Sequence, residues 1–415
     1  MSDFKKFAIP ESLIKALDKI NITTPTPIQD KTIPVALEGK DILASAQTGT
    51  GKTIAYSLPL LTYLLKNPRA LALIIAPTRE LAAQVNQSLR LIINKNFTMN
   101  TALLIGGESM FKQFAQLRAK PQIIIGTPGR ITDHLTRGSL KLQETKFLII
   151  DEADRMLDMG FGIQLEKIET FLPAVRQTLM FSATFPANIE KLSQRYLKDP
   201  QRIAVGSVTD AAPKIKQEVL HTHHAEKFGL LSKELELREG SIIVFVKTKK
   251  SADRLAEELQ ELGHNTDAIH GDLHQRKRDK VIQAFRSKKS RILIATDVAA
   301  RGLDIPHVMH VINYDLPQCP EDYIHRIGRT ARAGAEGNAL CLIAPDDRFK
   351  WKCIQKLMNP QESKDLAKVP DQSNYLKAYD KNDFSKRRHI EQRKKKRPFF
   401  GEKMSVPAGR KPFKK

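Results

Sequence analysis

The chain has 415 residues, 41% of them hydrophobic, which is room for about two to three globular domains. No stretch approaches the roughly 18 apolar residues of a membrane span, and the N-terminus Met1-Ser2-Asp3-Phe4-Lys5-Lys6 lacks the apolar core of a leader peptide. A net charge of +22 favours a polyanionic partner, and three cysteines without metal-ligand spacing (Cys319, Cys341, Cys353) point to a reducing cytoplasm with no structural disulfide.

The first predicted strand is Asp41–Ala46. It runs into Ala46-Gln47-Thr48-Gly49-Thr50-Gly51-Lys52-Thr53 and an amphipathic helix over Ile54–Leu65. Strand, Gly-rich turn and helix in this order form a phosphate loop. Gly49 and Gly51 let successive N–H groups converge on phosphate oxygens, Lys52 adds a point charge, and the Thr53 hydroxyl suits Mg²⁺. Ala46 stands where the general pattern has Gly. Further apolar runs follow at Ala70–Ala76, Thr101–Ile105, Gln122–Gly126, Phe147–Ile150 and Thr178–Ser182, alternating with amphipathic helices. That alternation predicts an α/β fold with a parallel sheet.

The strand Phe147–Ile150 delivers Asp151-Glu152-Ala153-Asp154 to the sheet end where such folds bind ligands. Paired with a phosphate loop, Asp151 suits a metal ion and Glu152 suits a water nucleophile. Residues 206–214 read as a linker. A second alternating set then predicts strands at Ile215–His221, Ser241–Val246, Asn265–Ala268, Arg291–Ala295, Val308–Asn313 and Asn338–Ile343, and a last helix at Asp347–Met358. From Phe384 to Lys415 there are 13 Lys or Arg against two Glu, with no helical or strand period. This reads as a disordered basic tail able to neutralise phosphates. His221, His223 and His224 read as exposed imidazoles at a strand end, Trp351 as packing, and Lys247-Thr248-Lys249-Lys250 as the solvated start of a helix.

With these motifs in place the chain resembles the DEAD-box RNA helicases of superfamily 2, most closely bacterial members of the RhlE type. Pro25-Thr26-Pro27-Ile28-Gln29 is similar to the family's Q motif. Pro77-Thr78-Arg79-Glu80-Leu81-Ala82, Gly106-Gly107 and Thr127-Pro128-Gly129-Arg130 are similar to its RNA-backbone motifs, and Ser182-Ala183-Thr184 to its coupling motif. In the second half, Val244-Phe245-Val246, Gln275-x-x-Arg278, Ala295 to Asp304, and His325-Arg326-Ile327-Gly328-Arg329-Thr330-Ala331-Arg332 follow in the family's order. The resemblance covers about residues 4 to 360.

The resemblance implies two tandem RecA-like parallel-sheet domains: an N-terminal ATP-binding domain over 1–205, a linker over 206–214, a C-terminal helicase domain over 215–360, and a basic, largely disordered tail over 361–415. It implies ATP and Mg²⁺ as cofactors. Lys52, Asp151, Glu152, Arg329 and Arg332 would be catalytic. Phe4, Ile22, Gln29, Gly49, Thr50, Gly51, Thr53 and Asp304 would join Lys52 around the nucleotide, with Thr53 and Asp151 on the metal. Ser182, Thr184, Asp154 and His325 would couple the sites. Pro77, Thr78, Arg79, Gly107, Thr127, Arg130, Gln275, Arg278 and Thr296 would bind RNA. Ile22 replaces the family's usual aromatic against adenine, and Ala331 replaces its usual Gly between Arg329 and Arg332.

The implied activity is RNA-dependent ATP hydrolysis driving local, sequence-independent unwinding or remodelling of RNA. The rival reading is an ATP-gated RNA clamp that unwinds nothing. The expected partners are single-stranded and short duplex RNA, with pre-ribosomal particles or the RNA-decay machinery beyond them. The expected setting is cytoplasmic, with no membrane contact and a monomeric core.

Overall fold

The computed structural model describes residues 3–46, 49–93, 97–183, 185, 187–205, 215–300, 305, 307–331 and 336–358. The expected linker and tail lie outside these residues. The first seven strands are β1 (Ile42–Ser45), β2 (Leu71–Ile75), β3 (Thr101–Leu104), β4 (Ile123–Gly126), β5 (Thr145–Ile150), β6 (Gln177–Ser182) and β7 (Gln201–Ala204). They form one parallel sheet in the order β3-β4-β2-β5-β6-β1-β7. The remaining strands are β8 (Ile215–His221), β9 (Ser241–Phe245), β10 (Thr266–Ile269), β11 (Ile292–Ala295), β12 (Val308–Asn313) and β13 (Gly337–Ile343). They form a second parallel sheet, β10-β11-β9-β12-β13-β8.

Period-two alternation splits each central strand between two cores. Ile42, Ala44, Ile74, Phe147 and Ile149 face one layer of helices. Leu43, Leu73, Ile75, Leu148 and Ile150 face the other. Strands covered on both faces need apolar residues at every position, which is why they read as unbroken hydrophobic runs. All the motif loops of the first sheet leave its strands at their C-terminal ends, so one edge of the sheet carries them together.

Sequence and structure differ at the strand ends. The expected strand Asp41–Ala46 is Ile42–Ser45, because Asp41 acts as a clip rather than a rung. Its carboxylate accepts hydrogen bonds from the Thr178 and Lys198 amides, each at 2.7 Å, and so ties β1 to β6 and to the segment before β7. The helix expected over Ile54–Leu65 is Lys52–Lys66, beginning directly after Gly51. Strand β7 was not foreseen, since Ile203 is its sole buried residue. Trp351 packs edge-on against Tyr323, with ring centroids 5.7 Å apart. Lys249 lies at the exposed start of a helix, Lys249–Glu261, that is capped by the Thr248 side chain and buries its other face. No helix among the described residues is long and apolar enough to cross a membrane.

Candidate active site

Gly51 closes the phosphate loop at φ 93°, a left-handed conformation that suits glycine. A side chain there would also collide with the Gln29 amide. Gln29 is itself buried and used twice: its Oε1 accepts from the Thr26 amide at 2.9 Å, and its Nε2 donates to the Gly51 carbonyl at 3.1 Å. The Q motif is thereby fastened to the phosphate loop. Phe4 is fully buried beside Phe7, and Ile22 is half-buried against the same core. Gly49 and Thr50 precede Gly51 in the turn; Gln47 and Thr48 lie outside the described residues.

Lys52 and Thr53 form the first turn of the following helix. The Lys52 ammonium lies 3.9 Å from Asp151 Oδ1 across the site. Tyr56, one turn on and fully buried, donates to Asp151 Oδ2 at 3.1 Å and shares a hydrogen bond with Thr53. Neither the phosphate-loop pattern nor the acidic quartet signals Tyr56. The signal available was its spacing of three from Thr53, which places both on one helix face.

Glu152 takes φ 55°, a strained value for a side-chain-bearing residue, where β5 turns into the helix Ala153–Asp158. Asp151 Oδ1 and both Glu152 carboxylate oxygens are buried without a hydrogen-bond partner. Burial raises the Asp151 carboxyl above its ordinary range, with Lys52 opposing. Burial pushes Glu152 the same way, but Arg155, Lys52, Arg329 and His325 outweigh it and hold Glu152 below the usual carboxylate range. Arg155, unforeseen from sequence and nearly inaccessible, pairs with Glu152 at 3.4 Å. Hard carboxylate and hydroxyl oxygens, one of them orphaned, fit Mg²⁺.

Two of the groups acting on Glu152 come from the second sheet's domain. Arg329 and His325 belong to the segment running from the helix Pro320–Ile327. Arg326 anchors that helix: its guanidinium donates twice to Asp297 (2.6 and 2.7 Å) and also to Asn313 and the Asp315 carbonyl. Burial and the nearby Arg155 charge lower the His325 pKa, which favours the neutral ring. Asp154, which also acts on His325, accepts from the Ala183 amide at 2.9 Å, and Ser45 donates to the Ala183 carbonyl at 2.9 Å. The quartet, the Ser182–Ala183 strand end and His325 thus meet. Thr184, Asp304 and Arg332 lie outside the described residues.

A second set converges at another edge of the same cleft. Arg79 donates to Gln275 Oε1 at 3.0 Å, and Arg278 donates through Nε and Nη2 to Glu80, each at 2.8 Å. Both contacts join the two domains. Glu80 lies in the Pro77–Ala82 motif, whose sequence signals no role for it; its buried carboxylate receives Arg278. Burial lowers the Arg79 pKa, with the charges of Arg278 and Arg130 adding to the effect. Three guanidinium groups close enough to repel one another make an anion-attracting edge. Pro77 and Thr78 are buried behind Arg79, where the Thr78 hydroxyl accepts from the Leu81 amide. Thr127 and Thr296 are largely buried at strand ends β4 and β11. Gly107, at φ 79°, lies under the Arg79 guanidinium and beside Gln275.

Two parallel-sheet domains with a phosphate loop, paired carboxylates and arginines across a cleft define a nucleotide-hydrolysing enzyme of the helicase class. The DEAD/DEAH box helicase family matches residues 26–192, and the helicase conserved C-terminal domain matches residues 226–334. The ATP-dependent RNA helicase CshA of Listeria monocytogenes is 44% identical over 370 residues, spanning 88% of this chain and 71% of the relative. The DEAD-box ATP-dependent RNA helicase CshA of Geobacillus kaustophilus is 43% identical, spanning 83% and 74%. Among solved structures, S. cerevisiae Dbp5 bound to RNA and ADP BeF3 aligns with a TM-score of 0.79 at 34% identity, covering 86% of this chain and 94% of that one. Mss116p bound to ssRNA and AMP-PNP gives 0.77 at 30% identity, covering 88% and 78%. The chain belongs to the DEAD-box ATP-dependent RNA helicases, which are RNA-dependent ATPases.

Proposed function

We propose that this helicase couples ATP hydrolysis to local, sequence-independent strand separation or remodelling of structured RNA. The observation that supports the reading is the pair of domain-bridging contacts, Arg79 with Gln275 and Arg278 with Glu80, along the cleft across which the Arg329 charge acts on Glu152. One closure then serves both ligands. Lys52 and the backbone of Gly49, Thr50 and Gly51 bind the ATP phosphates, while Phe4, Ile22 and Gln29 support the base end of the site. Glu152 remains an anion suited to orient the attacking water. Arg329, joined by Arg332, reaches the transferring phosphoryl group from the second domain; its permanent charge and forked donors match phosphate oxygens. Mg²⁺ held by Thr53 and Asp151 would neutralise charge developing on the phosphates. Asp304 contacts the nucleotide from the second domain, and Ser182, Thr184, Asp154 and His325 couple its state to closure.

RNA lies along Arg79, Gly107, Thr127 and Arg130 on one domain and Gln275, Arg278 and Thr296 on the other, with Pro77 and Thr78 shaping the first loop. Guanidinium, hydroxyl and N–H donors suit phosphates, which position a strand without reading its sequence. We place this work in the cytoplasm, on RNA–protein particles such as those of ribosome assembly or RNA decay; the basic excess of the chain supports a polyanionic target. A displacement assay with a short RNA duplex tests the reading. ATP-dependent release of the shorter strand is expected, whereas ATP-dependent RNA retention with no release would replace it with a clamp.

A further inference from the structure

Two RNA-facing loops of the first domain share a support that neither loop contains. The first loop, 105–109, joins β3 to the helix Met110–Arg118; the second, at Thr127, joins β4 to the helix Pro128–Thr136. From the solvent side the first loop is pressed by Arg79: a side chain at Gly106 would lie 2.9 Å from the Arg79 Nη2. Arg130, from the second element, donates to the Glu108 carbonyl at 3.4 Å. From behind, Gln113 donates through Nε2 to the Ile105 carbonyl at 2.9 Å. Its Oε1 meets His134 Nε2 at 3.1 Å, and His134 Nδ1 meets the Ser139 hydroxyl at 2.9 Å. Gln113 and His134 are both fully buried, and Phe114 stands edge-on to the imidazole at 5.4 Å.

The link from Ile105 through Gln113 to His134 has one neutral arrangement of protons. A carbonyl can only accept, so Gln113 must present its NH₂ to Ile105 and its Oε1 to the ring. His134 therefore carries its proton on Nε2, and its Nδ1 and its own carbonyl, 3.1 Å from the Ser139 hydroxyl, share the single Ser139 proton. The charged groups acting on the ring are Arg130, Asp133 and Arg137, and burial lowers its pKa, so the neutral form is the one favoured. With Nε2 committed to Gln113 and Gln113 committed to the Ile105 carbonyl, the distance between the Gly106-Gly107 loop and the helix bearing Arg130 is set by hydrogen bonds rather than by packing alone.

We propose that His134 and Gln113 form a strut that sets the spacing of the two RNA-backbone loops, making them positioning residues for RNA that touch neither RNA nor ATP. This rests on the reading of Gly107, Thr127 and Arg130 as RNA contacts. His134→Gln keeps a donor near the Nε2 position, whereas His134→Asn places its amide near Nδ1 and leaves Gln113 Oε1 without a donor. ATPase titrations with single-stranded RNA should show half-saturation raised about fivefold or more in His134→Asn, the worth of one buried hydrogen bond. Maximal turnover and the KM for ATP should stay within twofold, and His134→Gln should recover most of the RNA affinity. Arg130→Ala is the control for the underlying reading. If Arg130→Ala weakens RNA and His134→Asn does not, the strut is wrong. If neither weakens RNA, the placement of RNA on these loops is wrong. If His134→Asn and His134→Gln both lower melting temperature, turnover and RNA affinity together, the pair is structural packing and the proposal fails.

Discussion

At the phosphate-loop edge of the cleft, Asp151 Oδ1 and both Glu152 oxygens are buried with charged neighbours in Lys52 and Arg155 but no hydrogen bond, whereas at the Arg79 edge the guanidinium groups already have hydrogen-bond acceptors in Gln275 and Glu80. The first edge holds buried anions that a cation and a polarised water would satisfy. The second holds cations that protein groups satisfy in their stead. The comparison assigns the two edges different work. On the proposed function, the arginine edge latches closure and the carboxylate edge completes hydrolysis.

The comparison breaks most severely at Glu152. Glu152→Gln keeps shape and removes the anion, so RNA-stimulated ATP turnover should fall about 10²- to 10⁴-fold, with ATP binding retained in a nucleotide-displacement assay. Retained turnover would remove the carboxylate edge from the chemistry. The latch is tested by Glu80→Ala. Truncating one partner of a buried charge pair costs about 2–5 kcal/mol. RNA half-saturation in the ATPase assay should therefore rise tenfold or more, while ATP affinity holds. The exchange Glu80→Arg with Arg278→Glu should recover part of the loss; no recovery would show that this charge pair does not latch the domains. The smallest effect is expected at Ala331, which takes φ 56° between Arg329 and Arg332. Ala331→Gly should relieve about 1 kcal/mol of left-handed strain. The melting temperature should rise by a few degrees with turnover little changed, and an unchanged or lower value would show no stored strain there.

The fold was legible wherever strands are covered on both faces. Ile123-Ile124-Ile125 and Phe147 to Ile150 admit little besides buried strand. Strand β7 was not legible, because a sheet-edge strand with one buried residue carries no apolar run. At the site, residues within contiguous motifs were legible, since phosphate loops and acidic strand ends keep their chemistry in local spacing. Tyr56, Arg155, Glu80, Gln113 and His134 were not assigned roles. Glu80 acts through a contact that folding creates, with Arg278 across 198 positions, and Tyr56 likewise with Asp151 across 95. Gln113 and His134 lie on amphipathic helices, where a buried amide or imidazole leaves no periodic trace. Gln29 was legible as a nucleotide-site residue, but its bond to the Gly51 carbonyl was not.

The central claim is that the second domain completes the hydrolytic centre of the first. ATP hydrolysis by Arg329→Ala, measured with and without saturating RNA beside the unaltered chain, tests it most directly. The account predicts that RNA stimulation collapses by about 10³-fold or more while ATP and RNA each still bind. RNA stimulation equal to that of the unaltered chain would contradict it.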